Sequence, residues 1–135
     1  MTNVRSLRPR RLGQLVLSDG LGVAYTFEVH ALRSQPVAFD AVFAFVRLEG
    51  AQPVPLFICC AEDLSIRLGA CPEREAARDL GASYLLVHVP EEGDDVSAIA
   101  AAGRLRSWYC PALNGRQGPN ALGTAPTLQQ VAGAD

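Results

Sequence analysis

Hydrophobic and polar positions alternate most regularly over 22–31. Val23, Tyr25, Phe27 and Val29 interleave there with Ala24, Thr26, Glu28 and His30. Successive strand side chains point to opposite faces, so this period of two predicts a half-buried strand. Residues 12–17 read as a second strand, with Ser18-Asp19-Gly20-Leu21 as the turn of a hairpin. The stretch 39–48 is more apolar, with Val42, Phe43, Ala44, Phe45 and Val46 in succession, and reads as a central strand. Gly50, Pro53 and Pro55 predict a turn over 49–55, followed by a short buried strand over 56–60.

The pattern then turns helical. Glu62-Asp63-Leu64 opens a short helix to about Leu68, with its acids at the favoured end, and Gly69 stops it. Cys71-Pro72-Glu73 opens a second helix with proline in its first turn, and Gly81 is its expected C-terminal cap. Residues 83–89 read as a core strand and 91–95 as an acidic loop. Asp94 or Asp95 is the expected cap of a helix over 96–109 that Pro111 ends. The expected fold is α+β, a small mixed or antiparallel sheet flanked by helices and beginning with a β-hairpin. Residues 1–11 read as a basic arm, 12–114 as a single domain, and 115–135 as a Gly/Pro/Ala-rich tail.

Composition narrows the function. The 135 residues are 49% hydrophobic and 19% charged, which excludes a wholly disordered chain. The net charge of −2 argues against a strongly basic nucleic-acid module. All 12 basic residues are arginines, so Schiff-base and P-loop chemistry, which need lysine, are excluded. No run of about 18 apolar residues predicts a membrane span. Leu15-Val16-Leu17 is too short for the core of a signal peptide, so a cytoplasmic location is expected, with no membrane partner. Cys59, Cys60, Cys71 and Cys110 are too sparse for a disulfide scaffold and are expected to be reduced, mostly buried thiols.

Residues 39–114 carry a resemblance. Ala41-Val42-Phe43 and Phe57-Ile58-Cys59 stand where two strand signatures would fall, with a hairpin between them. A short helix holds Asp63-Leu64 and Arg67-Leu68, a later strand ends in Val87-His88-Val89, and Pro111 and Asn114 close the last helix. In order and spacing these segments resemble the GIY-YIG domain of metal-dependent nucleases. The family's chemistry needs a metal-holding glutamate, tyrosine hydroxyls at both signatures and an arginine that neutralises the transition state. Carried over, the arginine is Arg67 and the asparagine is Asn114. The tyrosines are Phe43 and Phe57, the signature glycine is Cys59, and the metal glutamate falls on Ala102. No Asp or Glu occurs over 96–114, so that helix offers no carboxylate to a hard cation. The resemblance therefore implies a degenerate, non-catalytic domain without cofactor or metal, used for binding or assembly. Its old cleft would be lined by Phe43, Phe57, Cys59, Arg67, Ala102 and Asn114.

Other readings stay open. Arg67 can pair with Glu62 or Asp63 instead of an anion, and Asn114 can serve as a turn that ties the tail to the sheet. A relocated metal site would draw on Glu62, Asp63 or the acidic loop and retain nuclease activity. Arg5, Arg8, Arg10 and Arg11 can touch nucleic-acid phosphates. Cys71, Cys110 and His88 allow a zinc site to be drawn, although the C-x-x-C spacing is missing. His30 and His88 read as strand residues of structural or surface type, and Trp108 and Tyr109 as lids on the core. Arg104 and Arg106 are expected on different sides of their helix. The first hairpin offers an exposed edge through which two copies can pair, as a homodimer.

Overall fold

A computed structural model describes residues 11–91, 93–94 and 96–116. The strands are β1 (Arg11–Ser18), β2 (Ala24–Ala31), β3 (Phe39–Glu49), β4 (Gln52–Asp63) and β5 (Tyr84–His88). The helices are α1 (Leu64–Gly69), α2 (Pro72–Asp79) and α3 (Ala98–Tyr109), followed by a 3-10 turn at Asn114–Arg116. The strands form one sheet in the order β1-β2-β5-β3-β4, with every neighbouring pair antiparallel. The fold is α+β, and the α+β order expected from the sequence is the one observed.

The sheet is covered on both faces. Val42 and Ala44 of β3 pack with Phe27, Ile58 and Leu86 beneath Ala98, Ala101, Ala102 and Leu105 of α3. Phe43 and Phe45 pack on the other face with Phe57, Leu85 and Val87 beneath Leu64 and Leu68 of α1 and Ala77 of α2. β3 therefore buries every residue from Ala41 to Val46, which is why it reads as a continuous apolar run. Burying each phenylalanine contributes roughly 1.5–3 kcal/mol of transfer free energy.

Several boundaries differ from the sequence reading. β4 begins at Gln52, before the prolines, because β4 is an edge strand whose outward positions need no N–H. Pro53 and Pro55 pair with Leu48 and Val46, and the register shift after Phe45 leaves Leu56 bulged. α1 starts at Leu64, with Glu62 still in β4 and Asp63 as its cap. The cap of α3 is Ser97, whose Oγ accepts the Ala100 N–H at 3.2 Å, in place of Asp94 or Asp95. Asp94 instead accepts the N–H of Glu91 at 2.7 Å. Gly81 follows α2 with φ of +100°, the left-handed conformation that closes a helix end.

The thiols are free, but Cys59, Cys60 and Cys71 are only half-buried and Cys110 is exposed. Trp108 is 60% exposed, so it is no core lid; the alanines of α3 fill the space against the sheet. Cys59 and Cys60 pack on opposite faces, as adjacent strand residues must. Among the described residues no helix is long and apolar enough to cross a membrane.

Candidate functional site

Phe43 and Phe57 sit on neighbouring strands with side chains on the same face. Their ring centroids are 6.0 Å apart, and Phe45 stacks against Phe57 at 5.8 Å. All three rings are fully buried. The Arg67 guanidinium carbon lies 5.7 Å from the Phe43 centroid and 5.9 Å from that of Phe57, in cation–π range of both.

Local chemistry puts Arg67 there. The Asp63 carboxylate caps α1 by accepting the Ile66 N–H at 3.3 Å, and buried Leu64 and Leu68 fix the helix face. Arg67 then pairs with Glu73 of α2 at 3.2 Å, across the turn between the helices. The pairing with Glu62 or Asp63 does not form, since Asp63 is occupied as the cap and also accepts from Ser65 Oγ. Cys71 donates its thiol to the same Glu73 oxygen at 3.5 Å.

Electrostatics reinforces the pair. Burial pulls the Arg67 guanidinium down, but the neighbouring Cys71, where it ionises, together with the charge and hydrogen bond of Glu73 outweighs it, and the net shift is upward. Burial pushes Glu73 up, but its own amide and Arg67 hold it below the ordinary carboxylate value. Both groups are charged at neutral pH. Burial raises the thiols of Cys60 and Cys71 above the ordinary value, so neither is a ready thiolate.

Asn114 lies at the outer edge of β4. Its Oδ1 accepts the Ile58 N–H and its Nδ2 donates to the Ile58 carbonyl, both at 2.8 Å. Leu113 N–H donates to the Leu56 carbonyl at 2.9 Å, and Arg106 reaches the Ile58 carbonyl at 3.4 Å. Asn114 thus ties the segment after α3 to the sheet.

The six residues proposed for one cleft divide. Phe43, Phe57 and Arg67 form a unit, and half-buried Cys59 lies on the same face. Asn114 sits beside that unit at the strand edge. Ala102 is fully buried across the sheet, in the layer under α3, because that helix covers the opposite face. It does not meet the others.

Arg5, Arg8 and Arg10 lie outside the described residues, and Arg11 pairs with His30 through the backbone. Arg104 and Arg106 do act on different sides of α3: Arg106 at β4, Arg104 near Asp19 and Tyr25. His88 ring nitrogen Nδ1 is 2.9 Å from the Thr26 carbonyl, and its ring contacts Tyr25 and Phe27. His30 is buried, and its Nε2 approaches Glu28 at 3.4 Å without hydrogen-bond alignment. Among the described residues no three His, Cys, Asp or Glu side chains gather to hold a metal. The zinc site drawn from Cys71, Cys110 and His88 is therefore not assembled.

Glu73 is the member of the site that sequence reasoning missed. Its signal was its place in the first turn of α2, where an acid can reach back to α1. No protein-family model, curated protein or solved structure matches the chain.

Proposed function

We propose that the chain is a non-catalytic GIY-YIG-like domain whose fold serves binding or assembly. The observation that carries this reading is the closure of the arginine position. Arg67 lies on the buried rings of Phe43 and Phe57, and Glu73 neutralises its charge from within the domain. A guanidinium held in this way has to leave Glu73 before it can meet a scissile phosphate. Rings without hydroxyls have no means to orient or deprotonate water.

The order strand, strand, helix, helix, strand, helix over 39–114 supports the resemblance. The placement of Ala102 across the sheet lends it no support. Asp63, a candidate relocated ligand, is spent on capping α1.

A plasmid-nicking assay with magnesium or manganese tests the reading. No nicking is expected. Nicking that disappears in Arg67→Ala overturns it in favour of a residual nuclease. Salt-dependent binding to DNA or RNA that weakens when Arg5, Arg8, Arg10 and Arg11 are replaced would identify the partner as nucleic acid.

A further inference from the structure

The two helices on the face of Phe43 and Phe57 are held down in different ways. α1 buries Leu64 and Leu68 almost completely. α2 buries only Ala77, with Ala76 and Cys71 partly covered beside it. An alanine methyl removes little apolar surface from water, so burial alone anchors α2 weakly. Its exposed charges do not tie it to the sheet. Arg78 pairs with Glu75 at 3.1 Å and with Asp79 at 3.8 Å, both within the helix.

Among the described residues, two polar side-chain attachments join α2 to the rest of the domain. One is the pair of Glu73 with Arg67. The other is Arg74. Its Nη1 donates to the Ser34 carbonyl at 2.9 Å and to the Leu32 carbonyl at 3.4 Å. Its Nη2 donates to the Leu68 carbonyl at 2.9 Å and to Gln35 Oε1 at 3.0 Å. Gln35 in turn donates to the Ser65 carbonyl at 3.2 Å. One guanidinium, with its planar fork of donors, thus fastens α2 both to α1 and to the connector between β2 and β3. The helix is flanked by Gly69 and Gly81, and the chain is fixed again where the Ser83 N–H donates to the Val46 carbonyl at 2.9 Å.

We propose that α2 is a lid over Arg67, latched by Arg74, and that it opens as one unit while the sheet stays folded. As it lifts, Glu73 leaves the guanidinium. Arg67 stays on the Phe43 and Phe57 rings, open to an anion from outside. The acceptors of the latch lie in the connector and in α1, so the position of the connector decides whether the lid is shut. The inference rests on the closed arginine site of the proposed function and adds how that closure is released.

Native-state hydrogen exchange on the full chain, read by mass spectrometry, tests it. In the unaltered protein the amides of 76–80 should exchange at a rate nearly independent of urea below the unfolding transition, because lifting α2 exposes little surface. Those of Leu85, Leu86 and Val87 should depend steeply on urea. Arg74→Ala should speed exchange over 76–80, and alkylation of Cys71 by iodoacetamide, by on the order of tenfold. Glu73→Gln should speed the same amides by a smaller factor, since it releases the same unit. Exchange of 76–80 in step with β5 at every urea concentration overturns the proposal, and this arm needs no substitution. So does an Arg74→Ala variant whose 76–80 amides exchange at the original rate, since the helix would then open with the latch still shut. Nicking by the unaltered protein would remove the reading of the arginine site as non-catalytic and leave the exchange result standing.

Discussion

The indole of Trp108 covers the backbone of Gly20. A Cβ at Gly20 would stand 2.6 Å from Cε3 and 3.0 Å from Cζ3 of the ring. The contact joins the last turn of α3 to the turn between β1 and β2. Because the ring is 60% exposed, it has room to swing away. Gly20→Ala should therefore shift the emission of the only tryptophan to the red, at a cost of about 1 kcal/mol. In a Trp108→Ala background the same substitution should cost nearly nothing, and a double-mutant cycle by urea denaturation checks this.

Asp19 organises that same turn. Its Oδ1 accepts the N–H groups of Leu21 and Val23 at 2.8 and 3.0 Å, and its Oδ2 accepts the Tyr25 hydroxyl at 2.8 Å. Burial pushes the carboxyl up, but these bonds and the charge of Arg104 outweigh it and hold it below the ordinary value. Glu73 is depressed in the same direction. A depressed carboxylate contributes stability above its unfolded pKa, about 4, and loses it as pH falls through the folded value. Thermal melts should show stability falling below about pH 4, and Asp19→Asn should flatten that decline.

Asn114→Ala removes two bonds from Ile58 and should cost about 1–3 kcal/mol. Asn114→Asp should cost more at neutral pH, because a carboxylate oxygen then faces the Ile58 carbonyl. Acidification should recover part of the loss. Urea midpoints at pH 7 and pH 4 read the difference.

The Arg67 side chain covers Phe43 and Phe57 as well as carrying charge. Arg67→Met keeps the cover and should cost within about 1 kcal/mol, since a partly exposed ion pair contributes little. Arg67→Ala uncovers the rings and should cost more. Equal losses in chemical denaturation would show that the pair, and not the packing, carries the contact.

The β1-β2 hairpin was legible because only one face of it is buried, so polarity alternates along it. β3 was legible for the opposite reason, being covered on both faces. β4 was truncated in the sequence reading because Pro53 and Pro55 signal a break, and only the sheet order shows that they lie on an edge. The insertion of β5 between β2 and β3 left no local trace, since those pairings join distant segments. The same limit applied to the site. Phe43, Phe57 and Arg67 were found by spacing, whereas Glu73 competes in sequence with the nearer Glu62 and Asp63. Ala102 was placed by counting along the chain, which says nothing about the side of the sheet on which α3 lies.

Among the described residues β5 is the shortest strand, yet it is bonded on both sides and joins two hairpins that share no other strand pairing. Each hairpin can form early from nearby residues, but neither gains its interior partner until residues 84–88 arrive. The amides of Leu85, Leu86 and Val87 should then exchange with solvent only when the whole molecule opens, while those of β1 exchange through local fraying. Five residues thus set the cooperativity of the entire fold.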